Sequence, residues 1–81
     1  ITVASLRLDA VAGGAFYMAR GKVQQYIKKE LVQLNWNTTT NISCLLKQGD
    51  MISIRGFGRI KIFEIGNITK KDRICVTIGR E

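Results

Sequence analysis

The residues of this chain best suited to chemistry are lysines, arginines and glutamines. Arg20, Lys22, Gln24, Gln25, Lys28 and Lys29 crowd one short stretch. Placed at about 100° per residue, Gly21, Lys22, Gln25, Lys28 and Lys29 share one arc, while Val23, Tyr26 and Ile27 share the opposite one. A helix with that pattern buries one stripe and presents a basic, amide-bearing face. A charge run on a helix is often just a solvated face. Here, however, no acid lies within Lys22–Lys29 to pair with the lysines one turn away. Their charges are left for an external anion. Arginine grips an oxyanion in a bidentate fork and lysine acts as a point charge, so the chemistry on offer is phosphate recognition.

The whole chain points the same way. Thirteen Lys and Arg against six Asp and Glu give a net charge of +7 on 81 residues. That excess is the electrostatic footprint of a phosphate-backbone binder, set against the blander reading of a merely basic domain. Histidine is absent, which removes the commonest general base and metal ligand and every Ser-His or Cys-His pairing. Cys44 and Cys75 are far apart and form no CxxC pair, so a four-ligand zinc site is out of reach. They read as free thiols of a reduced compartment, with a single disulfide as the other possibility. The remaining candidates for catalysis, Asp9, Asp50, Glu64 and Asp72, are scattered. No catalytic residue, metal or cofactor is expected, and the chain is not expected to be an enzyme. No apolar run approaches the roughly 20 residues of a membrane span. Docking on a membrane surface is disfavoured because the apolar stripe of the basic helix is needed for the core. Three matches to the glycosylation pattern, at Asn37, Asn41 and Asn67, read as chance.

The elements that must position these residues follow from the pattern. Ser5 to Ala12 reads as a first helix, with Leu8, Val11 and Ala12 on one side, Asp9 in the first turn and Gly13-Gly14 as its end. Ala15 to Met18 is an apolar connector whose Phe16 and Tyr17 are too large to stay wholly in water. Arg20 to Lys29 is the second helix. Leu31–Leu34 reads as a strand, Asn35-Trp36-Asn37 as a turn, Thr38–Leu46 as extended chain and Gln48-Gly49-Asp50 as another turn. Met51–Arg55 is a strand and Gly56-Phe57-Gly58 a loop. Arg59–Ile65 is a strand with Arg59 and Lys61 outward and Ile60 and Ile62 inward. Ile68–Arg73 is a charged turn before a last strand, Ile74–Ile78.

Four pieces of this order carry a resemblance. Arg7-Leu8-Asp9 opens one helix, Ala19-Arg20-Gly21-Lys22-Val23 opens the next, Leu31-Val32-Gln33-Leu34-Asn35 follows, and Gly49-Asp50-Met51-Ile52 closes the unit. Together they resemble the S-four-type RNA-binding domain, named after a protein of the small ribosomal subunit. The stretches Arg55-Gly56-Phe57-Gly58-Arg59, Thr69-Lys70-Lys71 and Val76-Thr77-Ile78-Gly79-Arg80 are similar to the C-terminal part of its YlmH-type branch. Three positions depart from that pattern. Ala19 and Gly21 stand where hydroxyl residues are usual, and Glu30 replaces a glycine after the second helix.

The resemblance implies an α+β fold, two short helices forming a helix-turn-helix-like pair packed on a small, mainly antiparallel β-sheet. The element pattern is compatible with that fold. It further implies an RNA surface on the two helices and the adjoining loop, where Arg7, Arg20, Lys22, Gln24, Gln25, Lys28 and Lys29 fall. Lys47 and Arg55 would extend it if the strand edge abuts the helices. Arg7 and Arg20 would make fixed bidentate phosphate contacts, the lysines longer-range attraction, and a glutamine would reach a 2′-hydroxyl or a base edge. Asp9 reads as structural, holding a neighbouring arginine; the lesser alternative for Arg7 is a surface ion pair with Asp9 or Asp50. Trp36 and Phe57 could each stack on a base or lie over the protein. Arg59, Lys61, Lys70, Lys71 and Arg73 form either a second basic cluster or a solvated face.

The expectation is therefore a single non-catalytic RNA-binding domain over residues 1–81, with a core motif at 5–55 and a C-terminal β extension at 56–81. Beginning at Ile1, it reads as a fragment of a longer protein. Its expected partner is structured RNA, ribosomal RNA or tRNA at the ribosome during translation. The alternative is the RNA-targeting module of an RNA-modifying enzyme whose catalytic domain lies elsewhere. It is expected to be monomeric, with no membrane partner, in a bacterial cytoplasm or an organellar stroma or matrix.

Overall fold

The structure is a computed structural model and describes residues 1–80. Strand β1 (Thr2–Val3) leads into helices α1 (Leu8–Ala15) and α2 (Arg20–Lys28). Strands β2 (Val32–Leu34), β3 (Asn37–Thr38), β4 (Met51–Ile54), β5 (Gly58–Ile68) and β6 (Ile74–Arg80) complete the chain. The strands form one antiparallel sheet in the order β1-β6-β5-β4-β2-β3. The fold is α+β, two helices on one face of a six-stranded sheet.

Period-two alternation makes that face. Ile52 pairs with Ile60 and Ile62 with Ile78, so the isoleucines of β4, β5 and β6 line up across the sheet. Val32, Ile52, Ile54, Ile60 and Ile62 are buried there against Leu8, Val11 and Ala12 of α1 and Val23 and Ile27 of α2. Each of the Val, Leu and Ile side chains contributes about 1.5–3 kcal/mol on burial. The expected stripe of α2 is thus the buried one, with Tyr26 half-buried at its edge. Among the described residues no helix is long and apolar enough to cross a membrane. Cys44 and Cys75 are free thiols.

The first helix lies later in the chain than its sequence signals suggest. Ser5 and Leu6 are not helical, because the Leu6 carbonyl accepts the Leu46 N–H at 2.8 Å. Arg7, extended at φ −69° and ψ 147°, precedes the first turn. The free amides of Leu8 and Asp9 then donate to the carbonyls of Cys44 (2.8 Å) and Ile42 (3.2 Å). A neighbouring loop, not a side chain, satisfies these donors. That also explains why Thr38–Leu46 is not one extended strand: the Thr39 N–H still reaches the Val32 carbonyl at 3.2 Å, but beyond it the backbone serves α1 and a local turn at Asn41. Gly13-Gly14 does not end α1. A Cβ on Gly13 would sit 2.9 Å from the Met18 carbonyl, so the glycine permits the chain to fold back closely. Tyr17, in the left-handed region at φ 56°, makes the reversal and is 90% exposed, against the expectation that it would be covered.

The turn at Asn35 and Trp36 has both residues in the left-handed region, at φ 51° and 70°, as a two-residue hairpin turn requires. Asn35 offsets the strain with two side-chain bonds. Its Nδ2 donates to Asp50 Oδ1, and its Oδ1 accepts the Met51 N–H, both at 3.0 Å. Glu30, at φ 61°, forms the corner where the glycine is missing. Strand β1 has no counterpart in the sequence reading; it pairs Thr2 with Cys75 and Val3 with Ile74.

Candidate nucleic-acid interface

α1 and α2 meet around one carboxylate. Asp9 has no exposed surface, yet its cover is thin, because two guanidiniums lie over it with side chains 36% (Arg7) and 48% (Arg20) exposed. Arg7 Nη2 and Arg20 Nη2 each donate to Asp9 Oδ2 at 3.2 Å. Gln24 Nε2 donates to the same oxygen at 2.8 Å, and the Ala10 N–H donates to Oδ1 at 2.9 Å. Burial alone would raise the Asp9 pKa. The Gln24 and Arg20 hydrogen bonds, with the charges of Arg20 and Arg7, outweigh it and hold the group below its ordinary value. The carboxylate stays ionised and stitches the start of α1 to the first turns of α2. Two positive charges around one negative leave this junction with a single net positive charge.

This changes the part played by three expected contact residues. Arg7, Arg20 and Gln24 are not free donors awaiting a phosphate, since each gives one nitrogen to Asp9. Asp9 has the structural role expected of it, and it holds two arginines rather than one. Among the described residues Arg7 Nε is buried without a hydrogen-bond partner. Arg20 bonds Asp9 through Nη2 alone, and its side chain stays half-exposed.

On the outward arc of α2 the picture is the reverse. Lys22, Gln25, Lys28 and Lys29 are all exposed, and among the described residues none of the three lysines is in an ion pair. α2 starts at an N-cap, Ala19, that offers no side-chain acceptor. The Lys22 and Val23 N–H groups both donate to the Ala19 carbonyl at 3.1 Å, so backbone alone closes the first turn, at the end nearest the guanidiniums. Junction and arc adjoin, so the two helices gather five of the chain's cations.

The two outlying positions diverge. Lys47 follows the loop that caps α1, and its N–H donates to Asp50 Oδ2 at 2.9 Å. Its side chain is exposed, two residues beyond Leu45, whose backbone bridges Arg7. Arg55 lies instead at the corner after α2, lining a shallow hollow with Glu30, Leu31, Gln33 and Ser53. Phe57 packs edge-on against Tyr26 of α2, with centroids 5.6 Å apart, which ties the β4–β5 loop to the helix. Trp36 is 60% exposed beneath Arg59, whose guanidinium carbon lies 4.6 Å from the ring centroid. The other basic residues do not form one cluster. Arg59 and Lys61 lie on the sheet, Lys70 and Lys71 in the β5–β6 turn, and Arg73 bonds Thr2. Among the described residues no three His, Cys, Asp or Glu side chains gather where they could hold a metal ion.

No family model matches the chain. Over 80 residues, 99% of its length, the chain is 45% identical to ribosome-associated protein quality control protein P2 of Bacillus subtilis strain 168. It spans 31% of that curated relative's length. Among solved structures, a pseudouridylate synthase aligns with a TM-score of 0.58 and 26% identity, over 62% of this chain and 22% of the synthase. The chain is therefore similar to one part of a larger ribosome-associated protein and to one part of a pseudouridylate synthase.

Proposed function

We propose that this chain is a non-catalytic S-four-type module that binds structured RNA, ribosomal RNA or tRNA, at the ribosome. The observation that carries the reading is the basic arc of α2, unpaired among the described residues, beside guanidiniums fixed by Asp9. Lys22, Lys28 and Lys29 supply attraction to the phosphate backbone, and Gln25 reaches a 2′-hydroxyl or a base edge. The exposed edges of Arg7 and Arg20 are held in one orientation by Asp9, so a phosphate meeting them finds donors that need no ordering. Lys47 extends this surface at the Arg7 end. The name of the 45%-identical relative, which is ribosome-associated, agrees with that setting. In this reading the chain works as one domain of a longer protein, in a bacterial cytoplasm or an organellar stroma or matrix.

A second reading has its own support. The matching unit makes up 22% of a pseudouridylate synthase, so a module of this shape can accompany a catalytic domain. In that case the same face delivers RNA to chemistry performed outside these 81 residues.

Affinity for a structured ribosomal or transfer RNA, measured against salt, tests the first reading. Neutralising four to six phosphates gives a log–log slope of roughly −3 to −5. A flat response ends it.

A further inference from the structure

The helices cover one face of the sheet, and the opposite face is open. Strand register sets two rows on that open face. Gln33, Ser53 and Arg59 lie side by side, and Met51, Lys61 and Gly79 lie in the next row. Along β5, Arg59, Lys61 and Phe63 alternate with Ile60 and Ile62, which are buried on the helix side. Two bare rings flank the cations of this strand. Trp36 lies under the Arg59 guanidinium and is 60% exposed; Phe63 lies near Lys61, whose Nζ is 5.9 Å from the ring centroid, and is 54% exposed. Phe63 is seated on the backbone of Gly79, where a Cβ would overlap the ring. The glycine thus provides the seat for a ring that contributes little to the core.

We infer that this open sheet face is a second RNA site, one that takes an unpaired segment of the chain rather than a folded helix. Charge selects the occupant. The rings are interleaved with Arg59 and Lys61, and no acid occurs between Arg59 and Phe63. Glu64 lies beyond Phe63 opposite Thr77, and Glu30 lines the hollow at Arg55. An apolar protein partner would have to bury both cations unpaired, whereas a polynucleotide meets them with phosphates. The rings suit the rest of it, because every base has a π-face that stacks on an aromatic side chain. Arg59 and Phe63 are four residues apart, roughly 13 Å along the strand. That length suits two or three splayed bases, as on other RNA-binding sheets. A duplex, whose bases are stacked on each other, cannot use the platform.

Trp36 is the only tryptophan, so its fluorescence reports this face alone. Titration with a single-stranded oligouridylate of about ten nucleotides is expected to quench it saturably. Phe63→Leu keeps an apolar cover on Gly79 but removes the ring, and should weaken binding about 5- to 150-fold. Lys61→Gln leaves both rings in place and should flatten the salt slope by about 0.7. Lys22→Ala with Lys29→Ala should leave the quench titration unchanged within about threefold. Circular dichroism and melting confirm the fold of each variant, and Lys61→Gln decides the question if Phe63→Leu unfolds. Absence of saturable quenching, equal quenching by an RNA hairpin, or parental affinity in the folded Phe63→Leu variant would overturn the inference. If structured RNA still binds with a steep salt slope in that event, the helical-face reading stands by itself.

Discussion

The junction of the two helices and the outward arc of α2 are built from the same residue types and do different things. At the junction, Arg7, Arg20 and Gln24 converge on Asp9, and their charge is partly neutralised from within. A turn away, Lys22, Lys28 and Lys29 meet no carboxylate among the described residues. The difference is one acid at the start of α1. Where it reaches, cations become fixed parts of the fold; where it does not, they remain available. A cation count on a helical stretch therefore overstates the free binding charge, and the surplus must be found by asking which carboxylate each cation can touch.

Removing the shared acid should have the largest effect. Asp9→Asn leaves two guanidiniums facing each other across a neutral amide, and should cost about 1–3 kcal/mol in chemical denaturation. The range is kept below that of a deeply buried pair because both arginines are partly exposed. The arc should respond in the opposite sense. Replacing Lys22, Lys28 and Lys29 together by alanine should flatten the salt slope of structured-RNA binding by about 2. Stability should move by less than about 1 kcal/mol, chiefly through Lys28 in the last turn of α2. If the slope is unchanged, the arc is a solvated face after all.

Acid pH sharpens the contrast further. The Asp9 pKa is depressed in the folded protein below its ordinary 3.8, so its stabilising contribution is complete above that value. It is lost as pH falls from there through the lower folded value. A thermal-midpoint curve for the parent chain should drop over that window more steeply than that of Asp9→Asn, while the lysine variant should track the parent. The smallest effect is expected in the first turn of α2. Gly21 has open space around it, and Gly21→Ala should stabilise by about 0.5–1 kcal/mol. The same change at Gly13, against the Met18 carbonyl, should have the opposite sign.

Much of the fold was legible because its signals are local. The α2 stripe of Val23, Tyr26 and Ile27, the alternation of β4 and β5 and the turn at Asn35-Trp36 each depend on neighbours within a few residues. The misreadings occurred where a distant segment takes over. Leu46 draws Leu6 out of the first helix, the Ile42 and Cys44 carbonyls cap it instead, and Met18 folds back on Gly13. Of the candidate site, exposure at Lys22, Gln25, Lys28 and Lys29 followed from helical period. The grouping of Arg20 and Gln24 with Asp9 spans 11 and 15 residues and has no local signature.

Period and composition by themselves determined the buried stripes and a cationic excess too large for the acids present, and were compatible with the α+β class that the resemblance implied. Only the folded chain decided which cations are tethered, that Arg55 lies apart from the helical junction, and that two aromatic rings share the uncovered side of the sheet. The reason is range: side-chain periodicity is set by backbone geometry over a few residues, whereas pairing with one carboxylate or seating a ring on a glycine depends on which strands and helices come to lie side by side.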